Sequence, residues 1–206
     1  MTKPNLEGDL RQPRRKFYPN ISCHYIDAGD ALSPIEDNLS IPLKSIFFHE
    51  TSCRGQLNSR QACSVESAAR VHPQWQINVL FSGPVTDNIL NNYGSLYALK
   101  QIQNIKFFRL HLLQYVKGTP VEDFVRGGSL NRSWWPVQHT AELVQLVTLY
   151  KRGGVCLDLD QLVMKPFEDL GDNWVVRKSQ KMLASCPLSI SKDPVGRVVI
   201  DSALRQ

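Results

Sequence analysis

The sequence contains no run of apolar residues approaching the roughly 18 to 20 needed to cross a bilayer, so nothing in it reads as a membrane span. Its first residues also lack the apolar centre of a secretion signal. None of the five cysteines is spaced Cys-x-x-Cys, which removes the usual zinc-site signature. Basic and aromatic residues do not interleave after the leader, so no nucleic-acid partner is expected. The formal net charge of +5 is concentrated early, where Lys3, Arg11, Arg14, Arg15 and Lys16 face only Glu7 and Asp9. A basic, proline-containing leader of this kind is more often a tail than a binding surface.

What is present is enough for a core. With 206 residues and an apolar share of 42%, the chain fits one ordinary domain or a piece of a larger one. Pro4, Pro13, Pro19, Pro34 and Pro42 fall among polar residues with no sustained period, so residues 1–43 are expected to be tail or stem. Residues 44–206 are left as the domain. Asn20, Asn38 and Asn131 each begin an Asn-x-Ser acceptor, a weak pointer to a lumenal location. Cys53 and Cys63 flank a short loop and can pair where the surroundings are oxidising; buried free thiols fit the sequence equally well.

From Lys44 a period appears. Ser45 to His49, Ile77 to Phe81 and Ile105 to Leu110 are short apolar runs that predict buried strands. Between the first two, Asn58 or Ser59 caps a helix to about Arg70, which His72-Pro73 stops. Between the second and third, Thr86 or Asp87 opens a helix with Ile89, Leu90, Tyr93, Leu96 and Tyr97 on one side. Thr119, Pro120 and Glu122 have the order of a capped helix start, with the helix ending at Arg126. A longer helix runs from Thr140 to Arg152 and is apolar nearly all round, which predicts burial. One further strand is expected within residues 175–190, and a last helix from Asp193-Pro194. Alternation of strand and helix argues for an α/β domain with a mainly parallel sheet.

The buried helix leads through Gly153-Gly154 to Val155-Cys156-Leu157-Asp158-Leu159-Asp160. In a strand, Asp158 and Asp160 would face the same way while Leu157 and Leu159 enter the core. Adjacent carboxylates repel unless a cation sits between them, and their oxygens suit magnesium or manganese, which bridge diphosphate oxygens. An Asp-x-Asp triplet alone is most often a solvated turn; it is the order helix, Gly-Gly, strand, Asp-x-Asp that points to nucleotide-diphosphate chemistry. Upstream, Glu142 and Gln145 share one face of the buried helix and need partners. Trp134 and Trp135 cannot both enter one core, so one can stack on a base or sugar ring, although anchoring of their loop is the commoner role.

Three segments resemble a known family. Phe47-Phe48-His49-Glu50-Thr51-Ser52, Arg60 through Ala69, and Tyr150 through Pro166 are similar to the α-1,4-glycosyltransferases of the lactosylceramide 4-α-galactosyltransferase and α-1,4-N-acetylglucosaminyltransferase group, glycosyltransferase family 32. The resemblance covers roughly Lys44 to Arg205. It implies a GT-A (Rossmann-like) fold, here incomplete at its C-terminal end, and a Golgi-lumenal enzyme held by a type II membrane anchor that this sequence lacks. It further implies transfer of galactose, or another hexose or N-acetylhexosamine, from a UDP-sugar to a glycolipid or glycan in α-1,4 linkage, with retention. Asp158 and Asp160 would hold manganese or magnesium, and Glu142, Gln145 and Asp158 would meet the donor. The family usually has Ser-Asp and then an Arg at the positions that Ala141, Glu142 and Gln145 occupy; losing that arginine removes a bidentate fork. A non-catalytic relative acting as a binding partner or subunit is the alternative, and a homo- or hetero-oligomer is compatible with either. A haloacid-dehalogenase-type start at Asp158 is a third reading, with Leu162 where a smaller residue is usual.

Overall fold

The computed structural model describes residues 21–26, 29–92 and 94–206. Its centre is strand β1 (Ser45–Glu50), buried along its whole length. Alternation sends Ile46 and Phe48 to one face and Phe47 to the other, and each face seeds its own core. On the first face lies helix α1 (Ser59–Val71), with Val65, Ala68 and Ala69 inward. Asn58 and Gln61 cap it reciprocally, each side chain accepting the other's backbone N–H at 3.0 Å. Strand β2 (Gln76–Phe81) follows.

The next helix differs from expectation. It is two short pieces, α2 (Asp87–Asn91) and α3 (Ser95–Lys100), broken at Gly94, whose φ of 154° no helix accommodates. Tyr93 lies outside the described residues. Strand β3 (Ile105–Arg109) precedes α4 (Leu112–Tyr115) and α5 (Glu122–Arg126). Thr119 does not cap α5: its hydroxyl donates to the Val116 carbonyl, and Glu122 instead accepts the Gly118 N–H at 2.7 Å. Helix α6 (Pro136–Arg152) starts a turn before the predicted Thr140 because Pro136 serves as its first residue, and the Thr140 hydroxyl donates back to the Pro136 carbonyl at 2.7 Å. Val144, Val147 and Leu149 of α6 pack on the second face of β1.

Strand β4 (Gly154–Cys156) pairs in parallel with β1. Residues 174–190 form two strands where one was expected, β5 (Trp174–Ser179) and β6 (Met182–Ile190), antiparallel to each other, with β6 antiparallel to β4. Helix α7 (Pro194–Leu204), capped by Asp193, packs on α6. The sheet order is β3-β2-β1-β4-β6-β5. The crossovers β1 to β2 and β2 to β3 run one way, and the polypeptide then returns to lay β4 on the other side of β1. The winding reverses between β1 and β4, and beyond the carboxyl ends of strands at such a point is where α/β sheets bind ligands.

The expected tail is partly domain. Residues 1–20 lie outside the described residues, but from Ile21 the polypeptide is pinned to the sheet by the fully buried Arg109. Its Nε meets Asp30 Oδ2 at 2.7 Å, Nη1 donates to the carbonyls of Phe81 and Leu110 at 3.2 and 2.8 Å, and Nη2 to those of Cys23 and Ile26 at 3.0 and 2.8 Å. Pro34 bridges to β3 in parallel, and Arg152 donates to the carbonyls of Glu36, Asp37 and Leu39. The expected Cys53–Cys63 pairing does not form. Cys53 is bonded to Cys23, which the arm carries to it, and Cys63 is free and exposed on α1.

The Gly-Gly stop between α6 and β4 has a steric cause. Gly154 has φ +90°, and a Cβ there would lie 2.7 Å from the Ser45 carbonyl oxygen of β1. Gly154→Ala is therefore expected to destabilise the fold by about 1–3 kcal/mol, the cost of such a backbone strain. The midpoint of urea unfolding checks this; an unchanged midpoint would mean the strand shifts freely.

Candidate active-site cleft

Asp158 and Asp160 are not on a strand, as the alternation argument required. Strand β4 ends at Cys156, and a turn follows, closed by Gln161 N–H donating to the Asp158 carbonyl at 3.2 Å. The turn is tied down from both sides. Asp158 N–H donates to Gln161 Oε1 at 3.0 Å, and the Ser64 hydroxyl on α1 donates to the Leu159 carbonyl at 2.9 Å. Leu159 still packs against the core beneath α1. A turn brings both carboxylates to the same opening by a different route from a strand.

That opening is a cleft of about 570 Å³ at the reversal point between β1 and β4. Asp158, Leu159 and Asp160 form one wall, His49, Glu50, Thr51 and Ser52 at the end of β1 another, and Gln138 comes from the first turns of α6. Asp160 is exposed and Asp158 half-buried. Burial pushes the Asp158 carboxyl above its ordinary pKa; the nearby charges of Asp160 and Glu142 add to the rise, and the bond from Gln145 opposes it. Among the described residues no lysine or arginine forms an ion pair with either carboxylate, and Arg60, which lines the same cleft, forms no ion pair. Two hard oxygen donors with uncompensated charge fit a divalent magnesium- or manganese-type cation.

Gln145 is where the sequence and the structure diverge in role. It is buried, and its Nε2 donates to Asp158 Oδ1 at 2.8 Å, so it stands behind the carboxylate and orients it. Glu142, predicted beside it on the donor, is not part of the cleft wall. It accepts a long bond of 3.5 Å from Gln138 Nε2, and Gln138 is the residue that reaches the cleft. Trp134 and Trp135 belong to neither core cluster: they are 61% and 58% exposed, just ahead of α6, with Trp135 N–H donating to Ser133 Oγ at 3.0 Å.

Sequence reasoning missed the β1 side of the cleft, although the strand-end rule applied to Asp158 also points to His49 and Glu50. The Thr148 hydroxyl donates to the Val144 carbonyl at 2.7 Å and accepts from Tyr115 at 3.0 Å, so its 2.8 Å contact with His49 Nε2 makes that nitrogen the donor. Burial lowers the His49 pKa to about 3, and the ring is neutral. Glu50 is 2% exposed, and its Oε1 accepts both the N–H and the hydroxyl of Ser52, which shapes the loop leaving β1. A larger cavity of about 650 Å³ lies at the other end of the sheet, against Gly153, Gly154 and Trp75, and contains none of these residues.

Comparison with known proteins agrees with this geometry. Residues 58–178 match the family described as glycosyltransferase sugar-binding region containing DXD motif. Human lactosylceramide 4-alpha-galactosyltransferase is 32% identical over 129 residues, 61% of this chain and 36% of that protein. Human alpha-1,4-N-acetylglucosaminyltransferase is 30% identical over 132 residues, 61% of this chain and 38% of that protein. The matched stretch thus spans under two fifths of either relative. Among solved structures, the PaToxG glycosyltransferase superimposes with a TM-score of 0.53 at 14% identity, covering 89% of this chain and 65% of that one, a likeness of fold.

Proposed function

Because the chain belongs to the glycosyltransferase family defined by a sugar-binding region with a DXD motif, we propose that it transfers galactose, or another hexose or N-acetylhexosamine, from a UDP-sugar to a glycolipid or glycan in α-1,4 linkage with retention. The observation that carries this reading is the placement of Asp158 and Asp160 on an open cleft at the reversal of the sheet. A manganese or magnesium ion held by the two carboxylates would supply Lewis-acid stabilisation to the departing diphosphate. The protein's own residues do the positioning. Gln145 fixes the direction of Asp158, Ser64 and Gln161 fix the turn, and Glu50 and Ser52 set the opposite wall. Trp134 and Trp135, exposed just ahead of α6, are the candidates to stack on a sugar ring.

A Golgi-lumenal site of action accords with the Cys23–Cys53 disulfide, which persists in an oxidising compartment. We do not favour the non-catalytic alternative, because both acids still line the open cleft.

Calorimetry with UDP tests the reading. UDP is expected to bind in the presence of manganese and to be released by a chelator; binding indifferent to the chelator would sink it. Release of UDP from UDP-galactose against UDP-N-acetylglucosamine then ranks the donors. Gln145→Leu is expected to weaken manganese-dependent UDP binding roughly 10- to 100-fold, the usual cost of losing a group that orients a metal ligand. The same calorimetry reads it, and affinity within twofold of the parent would show that Asp158 needs no such support.

A further inference from the structure

Outside the cleft, one other cluster of chemically capable side chains stands out. Cys23, His24 and Cys53 bring a sulfur, a ring nitrogen and a second sulfur within 4.8 Å of one another. His24 is 1% exposed, and its Nε2 contacts the Thr51 carbonyl at 3.1 Å. A carbonyl can only accept, so Nε2 carries the hydrogen and Nδ1 carries the lone pair. That Nδ1 is buried and has no hydrogen-bond partner. An imidazole fixed by an N–H to a backbone carbonyl, with its other nitrogen unpartnered and the ring clustered with two sulfurs, has the arrangement of a histidine ligand in a metal site.

We propose that, when the Cys23–Cys53 disulfide is reduced, Cys23, Cys53 and His24 Nδ1 form a binding site for a thiophilic cation of the zinc type. Two thiolates and an imidazole select soft or borderline ions over the hard ions suited to Asp158 and Asp160. Around a tetrahedral zinc such donors stand about 3.5–3.8 Å apart, so the sulfurs need to separate by only about 2 Å from their bonded state. The Cα atoms are 5.6 Å apart, a spacing compatible with both states. Three protein donors would leave a fourth position for solvent, and Cys53 is half-exposed.

The chemistry balances with a dithiol as reductant. Thiol–disulfide exchange passes two electrons to the Cys23–Cys53 bond, the dithiol leaves as its own disulfide, and two thiols result. Metal binding then releases their two protons to solvent. The disulfide and the metal site are alternative uses of the same sulfurs, and each ties the arm to the loop that carries Thr51 and Ser52 into the cleft.

The test uses the whole 206-residue chain, reduced with a dithiol, freed of it without air, and titrated with cobalt(II) and then zinc. One equivalent of cobalt is expected to give a thiolate-to-metal absorption that zinc abolishes, whereas the oxidised protein gives none. Zinc is expected to protect Cys23 and Cys53 of the reduced protein from alkylation, mapped by mass spectrometry, while exposed Cys63 is modified throughout. His24→Ala is expected to lower zinc affinity at least tenfold. Asp158→Asn, which leaves these three residues intact, should retain the absorption whatever becomes of UDP binding. No thiolate absorption, no alkylation protection, or undiminished absorption in the Cys23→Ser/Cys53→Ser double variant would each overturn the proposal. So would zinc affinity unchanged by His24→Ala.

Discussion

Asp158→Asn is expected to lower manganese-dependent UDP affinity roughly 100- to 1,000-fold, the scale of the loss when a single group aimed at charge is removed from a shielded site. The substitution keeps an acceptor for Gln145 Nε2 and the backbone of the turn, so shape is preserved and charge alone is removed. Stability should not fall with it. Burial raises the Asp158 pKa in the folded state, so the ionised side chain costs stability as pH rises through that raised value. The neutral amide avoids the cost, and at pH 7 the melting temperature should equal or exceed that of the parent. Exposed Asp160, with less to offset its loss by pre-organisation, should show a smaller affinity loss as Asp160→Asn. Calorimetry and thermal unfolding read both quantities; an affinity within threefold of the parent at Asp158 would remove the metal-holding role.

Arg109→Met is expected to cost about 3–5 kcal/mol, the usual penalty for stranding the partner of a buried ion pair. Asp30 would be left with little exposure and no counter-charge, and the carbonyls of Cys23, Ile26, Phe81 and Leu110 would lose a donor. In a protein of this size that corresponds to a melting-temperature fall of roughly 10 °C. Replacing both members, Arg109→Met with Asp30→Leu, should recover part of the loss because no charge is then stranded. If the single variant melts within 2 or 3 °C of the parent (about 1 kcal/mol), residues 21–43 are not held through this residue.

The parts legible in the sequence are those whose causes are local. The run Ser45 to Glu50, the Asn58 cap, the apolar stripe of α6 and the Gly153-Gly154 stop each announce themselves within a few residues. So does Asp158, because its neighbours define its context. Gln145 is legible as a residue in need of a partner, but its task is not, since only the fold puts it behind Asp158. What stays hidden depends on partners far along the sequence. No local pattern near Pro34 or Cys23 shows that Arg109 will hold them, and with five cysteines the pairing of Cys23 with Cys53 has no signature in spacing. The β5–β6 hairpin reads as one strand because Val175, Val176, Met182 and Leu183 are exposed and lack the alternation that burial imposes.

Arg109 also orders events in time. It is 86 residues downstream of Cys23, whose carbonyl it binds. At ribosomal speeds of about 5–20 residues per second, roughly 4 to 17 s pass between the birth of one and the other. Cys53, the disulfide partner of Cys23, is made only 30 residues after it, so the segment has a tether to β1's loop well before Arg109 arrives to fix it to the sheet.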